Sequence, residues 1–247
     1  MNLQTGIVYG PVASRRLGRT LGVNLAPAGR KACNFECAYC RFAWTEPPAR
    51  GDWPDPSDVV GAVERALATC GEIDAITVAG NGEPTLHPAF APIADGLFKA
   101  RNRLAPDAKL TLLSNGSMLH RLEVVNALGR FDTRVMKLDA GDATTFRLMN
   151  AAPLTLGRLV GDLRGVGRLT LQSMFVHDAG GVVDNTTPGA VRAWLEAVKR
   201  IRPEAVDICT LERTPARGTT LQRVSAGVLE EIAEQVRALA VPARVFA

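Results

Sequence analysis

Apolar positions recur along the chain in two rhythms. Short runs rich in β-branched and aliphatic residues lie at residues 21–25, 73–79, 109–113, 134–138, 168–176 and 205–211, with the length and composition of strands. Between several of them the apolar spacing lengthens to three and four. In residues 57–69, Val59, Val60, Val63 and Leu67 fall on one helical face, with Ser57 as the expected N-cap. Residues 120–128, 188–201 and 225–239 repeat the pattern. Pro188 stands near the start of its helix, where a missing N–H does no harm.

Strand followed by helix, repeated along the chain, predicts a parallel sheet covered by helices. Six such units fall short of the eight that close a barrel. The expected fold is therefore α/β, a partial (β/α)6 TIM-type barrel open on the substrate side. Ligands would sit at the C-terminal edge of its strands, and residues 243–246 would add an edge strand. A chain of 247 residues suits one such domain, so a single domain over residues 1–247 is expected.

Composition narrows the function. No run approaches 18 consecutive apolar residues, so no membrane-spanning helix is expected. The first ten residues lack the basic start and long apolar stretch of a secretory signal. A net charge of +4, spread along the chain, leaves a nucleic-acid partner open without indicating one. The cysteines say more. Of five, three crowd into residues 33–40, while Cys70 and Cys209 stand alone and read as small buried side chains. An odd count with one tight cluster points to a metal site in a reducing compartment, the cytoplasm, rather than to a disulfide framework.

The cluster reads Cys33-Asn34-Phe35-Glu36-Cys37-Ala38-Tyr39-Cys40, a C-x3-C-x2-C run bracketed by Lys31 and Arg41. Three thiolates on one loop can converge on three corners of an iron–sulfur cube, leaving the fourth iron open for another ligand. Zinc held by these cysteines with His87, His120 or His177 is the alternative, as is a chance group of buried thiols. Gly80-Asn81-Gly82-Glu83-Pro84 follows a strand, and its glycines permit close backbone approach while Glu83 can accept from an ammonium group. An ordinary capped turn would look the same. Ser114 and Asn115 close the next strand, placed for ribose hydroxyls or a carboxylate, or for a simple turn with Gly116. Lys137 and Asp139 alternate around Leu138, so they share one face of the sheet, where pairing would offset the cost of burying each charge. Arg15, Arg16 and Arg19 read as solvated or structural.

The cysteine spacing, with an aromatic residue before the third cysteine, resembles the signature of the radical S-adenosylmethionine (SAM) superfamily. Residues 9–18, Tyr-Gly-Pro-Val-Ala-Ser-Arg-Arg-Leu-Gly, and 21–25, Leu-Gly-Val-Asn-Leu, resemble the leader of its wyosine-synthase-like iron–sulfur oxidoreductases. The likeness continues through residues 80–88, 113–116 and 137–141. It implies a [4Fe–4S] cluster on Cys33, Cys37 and Cys40, with SAM on its open iron. It also implies SAM contacts from Tyr39, Asn81, Gly82, Glu83, Ser114, Asn115, Lys137, Asp139, Gln172 and Ser173. Three positions depart from the commoner pattern: Asn81-Gly82 replaces paired glycines, Lys137 a frequent serine, and Gln172 an arginine.

The implied reaction is reductive cleavage of SAM to methionine and a 5′-deoxyadenosyl radical, which takes hydrogen from a small-molecule or nucleoside substrate. A flavodoxin- or ferredoxin-like protein would donate the electron, and Arg213 is a candidate substrate contact. The wyosine reaction itself is not expected, because this chain lacks the cysteines of a second cluster. The alternatives are an activase that installs a glycyl radical in a partner protein, and a non-catalytic metal-binding module.

Overall fold

The structure is a computed structural model that describes residues 3–216 and 220–247. It divides into two compact units, Met1–Asn34, Trp44–Ser114 and Met118–Arg134 in the first, and Phe35–Ala43, Asn115–Ser117 and Val135–Ala247 in the second.

The first unit begins with a hairpin, β1 (Val8–Ser14) antiparallel to β2 (Gly18–Val23). After α1 (Pro56–Leu67), β3 (Ala75–Val78) pairs parallel with β2, and after α2 (Phe90–Leu104), β4 (Lys109–Ser114) pairs parallel with β3. α3 (Leu122–Ala127) follows. Every residue of β3 is buried, as its unbroken Ala-Ile-Thr-Val run requires of a strand covered on both faces. α1 buries Val59 and Val63, one turn apart, and α2, which the sequence reading had not singled out, buries Phe90, Ile93, Ala94, Leu97 and Ala100 along one stripe. α1 starts earlier than expected. Asp55, not Ser57, is its N-cap, because Pro56 supplies a first helical residue already set in φ. Arg101 at the end of α2 pairs with Asp132 at 2.6 Å and donates to Ala108 O at 2.8 Å, fastening the helix to the start of β4.

The second unit holds β5 (Thr133–Lys137), which starts two residues before the unit's boundary, then α4 (Ala143–Asn150), α5 (Leu156–Val166) and β6 (Thr170–Met174). β7 (Val176–Asp178), α6 (Pro188–Ile201), β8 (Ala205–Cys209), β9 (Leu221–Arg223), α7 (Ala226–Arg237) and β10 (Ala243–Phe246) complete it. Strands β5, β6, β8 and β10 lie side by side and parallel, so residues 243–246 form the expected edge strand. β7 leaves this sheet to pair antiparallel with β9. The run expected as one strand at 168–176 is thus two, with Val176 N turned to Asn185 Oδ1 at 2.8 Å. α6 buries Trp194 and Val198, one turn apart, against this sheet. Its backbone approaches so closely that a Cβ on Gly141 would stand 2.0 Å from Ala193 C. Thr155, Thr187 and Ser225 cap α5, α6 and α7 through their hydroxyls, the chemistry their sequences announce.

Candidate functional site

In the first unit, Ala32, the residue before Cys33, is stitched to the glycine-rich turn after β3. Ala32 N donates to Asn81 O at 3.0 Å, and Glu83 N donates to Ala32 O at 2.9 Å. Between them Gly82 lies so close that a Cβ there would be 1.8 Å from Ala32 O. Only glycine permits that approach, and the approach sets where the cysteine run begins. Glu83 is 2% exposed. Its Oε1 accepts from Thr85 N at 3.0 Å, Thr85 Oγ1 at 2.6 Å and Ser114 Oγ at 2.7 Å. Two of the expected contacts, Glu83 and Ser114, therefore meet. The Asn81 side chain serves the chain itself, with Oδ1 accepting from Gln4 N at 2.7 Å and Nδ2 donating to Gln4 O at 2.8 Å.

In the second unit the rest of the cysteine loop meets the ends of β5 and α4. Lys137 and Asp139, expected to share a face, stand 3.7 Å apart. Tyr39 joins them: Lys137 Nζ donates to its hydroxyl at 2.6 Å and lies 5.0 Å from its ring centroid, and the hydroxyl donates to Asp139 Oδ2. Tyr39 thus engages these charges through its side chain, a contact its sequence position did not announce. Asp139 also accepts from Asn150 Nδ2 at 2.7 Å and Met174 N at 2.9 Å. Asn150 Nδ2 lies 3.5 Å from Cys37 Sγ. Burial pushes the Cys37 thiol and the Tyr39 hydroxyl above their ordinary values, and the Asp139 charge adds to both. Burial opposes the Lys137 ammonium, but Asp139, with the neighbouring cysteines, outweighs it and raises its pKa.

The remaining expectations divide. Gln172 and Ser173 are neighbours on β6, and strand alternation sends them to opposite faces. Ser173 Oγ donates to Leu138 O at 2.5 Å and accepts from Trp194 Nε1 at 3.1 Å, fully buried under α6. Its hydroxyl thus serves the packing of α6 on β6. Gln172 lies in register with Lys137 on one side and Asp207 on the other, and Asp207 is in register with Arg244. Lys137, Gln172, Asp207 and Arg244 thus form a polar row across four strands, with Arg244 Nη2 2.7 Å from the buried Asp207. Sequence reading missed Asp207 and Arg244, although each is a charge inside an apolar strand pattern, the signal that marked Lys137. Asn115 Oδ1 accepts from Ser117 N at 2.9 Å, forming the turn expected as its alternative role. Arg213 is exposed after β8, on a segment that returns to the cysteine loop where Ala216 N donates to Cys40 O at 3.1 Å. Cys209 is buried, as expected, whereas Cys70 is half-buried, its Sγ 3.3 Å from Gly71 O.

None of the five cysteines is joined in a disulfide among the described residues. Among the described residues, no three His, Cys, Asp or Glu side chains are gathered closely enough to hold one metal ion. A four-iron cluster asks for a different arrangement, one thiolate to each of three irons with the fourth left for another ligand, and three cysteines on one loop suit that donor chemistry. His87 does not serve zinc here. Its Nδ1 accepts from Ala89 N at 3.0 Å, leaving Nε2 to donate to Pro54 O at 2.9 Å, so both nitrogens are occupied in the fold. Burial lowers its pKa and keeps the ring neutral. No helix among the described residues is long and apolar enough to cross a membrane.

Known proteins resemble the chain in sequence and in fold. The family model of the Radical SAM superfamily matches residues 31–156. A Helicobacter pylori protein named "UPF0026 protein" is 37% identical over 142 residues, which cover 57% of this chain and 44% of that protein. The match therefore spans less than half of that relative. Among solved structures, a radical SAM methyltransferase from Sphaerobacter thermophilus is similar with a TM-score of 0.68 at 17% identity, covering 92% of this chain and 65% of that one. TYW1 with a lysine-pyruvate adduct bound is similar with a TM-score of 0.64 at 14% identity, covering 89% and 73%. These likenesses bear out the α/β partial-barrel fold expected from the sequence.

Proposed function

Because the chain belongs to the radical SAM superfamily, we propose that Cys33, Cys37 and Cys40 hold a [4Fe–4S] cluster at which SAM is reductively cleaved. The chemistry supplied there would be a 5′-deoxyadenosyl radical able to take hydrogen from a small-molecule or nucleoside substrate. When bound, the cluster supplies the electron that breaks the sulfonium C–S bond, drawn from a flavodoxin- or ferredoxin-like donor in the cytoplasm.

The chain's own residues bind, orient and shield. Glu83 offers a carboxylate to the SAM ammonium group, held in place by Thr85 and Ser114. Lys137 offers a cation to the SAM carboxylate, with its charge kept by Asp139. Tyr39 fixes the cysteine loop over Lys137 through its hydroxyl. Gln172 presents an amide on the same face as Lys137, and Arg213 contacts substrate from the segment tied to Cys40. Buried apolar residues Met149 and Val176, with Met174 and Tyr39 packed against them, exclude water from this side of the loop.

The single observation that carries the reading is the network on the cysteine loop. A thiol, an amide, a phenol, an ammonium and a carboxylate converge where an ordinary loop would carry apolar packing. The test is anaerobic: reconstituted protein, dithionite and SAM, with products identified by chromatography and mass spectrometry. About four irons per chain and 5′-deoxyadenosine that disappears in Cys40→Ala are the expected results. A colourless zinc protein would overturn the reading.

A further inference from the structure

The last turn of α4 is built around Cys37. The final carbonyls of a helix have no partner within it. Here two of them turn to the cysteine loop: Met149 O accepts from Ala38 N at 2.8 Å, and Asn150 O accepts from Glu36 N at 2.9 Å. The two bonds flank Cys37 in sequence and fix the peptide units on either side of it. The helix is itself anchored, by Asp142 capping Thr145 N at 2.9 Å and by the fully buried Met149.

Asn150 adds a side-chain contact to this grip. It is fully buried, and its Nδ2 donates to Asp139 Oδ2 at 2.7 Å while lying 3.5 Å from Cys37 Sγ. Exchanging the amide oxygen and nitrogen would set oxygen against the carboxylate, so Asp139 decides that N–H faces the thiol. Asp139 is in turn held by Met174 N at 2.9 Å. Asn150 Oδ1, by contrast, is buried with no hydrogen-bond partner among the described residues. Buried polar atoms are nearly always satisfied. An apolar side chain would fill this position without that cost, so what the amide contributes here is its N–H groups.

We infer that Asn150 is a positioning residue for Cys37, whose N–H directed at Sγ stabilises added negative charge on the thiolate and so raises the reduction potential of the group Cys37 ligates. This rests on the proposed [4Fe–4S] function. Hydrogen bonds to cluster sulfurs are among the factors that set cluster potentials, and a donor aimed at a thiolate favours the more negative, reduced state.

The experiment compares wild type with Asn150→Leu, which keeps the volume and removes the donor, and with Asn150→Ser, a smaller polar variant that serves if the leucine protein does not fold. Each is reconstituted anaerobically, its iron counted, and its potential measured by spectroelectrochemical titration without substrate. Resonance Raman spectra in H2O and D2O are then compared in the Fe–S(cysteine) region. The expected result is full iron content with a lower potential, the reduced-to-oxidised ratio at fixed poise falling about tenfold, equivalent to 59 mV for one electron. The deuterium shift of the Fe–S(cysteine) band should shrink in the same variants. Full iron with an unchanged potential and an unchanged isotope shift would overturn the role of Asn150 while leaving the proposed function standing. Wild-type protein that takes up no iron–sulfur cluster would overturn both.

Discussion

Glu83 and Asp139 are both buried carboxylates beside the cysteine run in their own units, yet they are held by different means. Glu83 takes a backbone N–H and a hydroxyl from Thr85, two residues away, and one more hydroxyl from Ser114 at the end of β4. These three donors are neutral groups, two of them on a turn that Gly82 lets press against Ala32. Asp139 takes a phenol, an amide, a backbone N–H and a nearby ammonium, from the cysteine loop, α4, β6 and β5. The first arrangement is backbone geometry that side chains complete. The second is a balance of charges that only the assembled unit brings together. A buried pair like the second loses more when one partner is neutralised than when both are absent.

The largest effect expected is Gly82→Ala. The new Cβ would fall on a backbone oxygen that has no freedom to move, so a loss of about 4 kcal/mol, or failure to fold, is expected in urea denaturation. A near-neutral result would mean that the close approach does not set the turn. Asp139→Asn comes next, at about 3 kcal/mol, because Lys137 keeps its charge and loses its counter-ion. A loss no greater than that of Glu83→Gln, about 1 kcal/mol, would erase the contrast between the two carboxylates.

Glu83→Gln and Ser173→Ala sharpen it further, since each removes hydrogen bonding worth about 1 kcal/mol of stability. Equilibrium dialysis should show weaker SAM binding for Glu83→Gln and unchanged binding for Ser173→Ala. Equal affinities in the two variants would remove Glu83 from the SAM site. The smallest effect concerns pH. His87 is held neutral with its pKa below the ordinary 6.5. The unfolded chain therefore binds a proton more readily, and stability is complete above 6.5 and declines as pH falls through and below that value. Urea midpoints of wild type should fall more across this acid range than those of His87→Gln. Parallel midpoints would mean that the ring does not titrate differently in the two states.

How much of this was legible beforehand follows the range of the forces involved. Strands β3, β4, β5 and β8 and helices α1, α6 and α7 stood in the sequence because their apolar spacing is local. Other elements left weaker signals. α4 has only eight residues, too short for its period to register, and β1 is interrupted by Gly10-Pro11. The division of β6 from β7 depended on Asn185, nine positions from the Val176 N–H it satisfies.

The candidate site shows the same boundary. The three cysteines, the glycine turn, Ser114 and the Lys137–Asp139 alternation were all visible as spacing, because neighbours in sequence or on one strand have predictable directions. What spacing could not show was that Asn81 would serve Gln4, 77 positions away, or that Ser173 would serve Trp194. Nor could it show that Tyr39 would meet Asp139 across 100 positions and Cys37 meet Asn150 across 113. Sequence alone determined the fold class, the cysteine spacing and the family, which depend on residue identity and local period. Tertiary structure alone decided which buried polar group answers which, because satisfying a buried donor or acceptor is a condition on distance in space, and chain order does not set that distance.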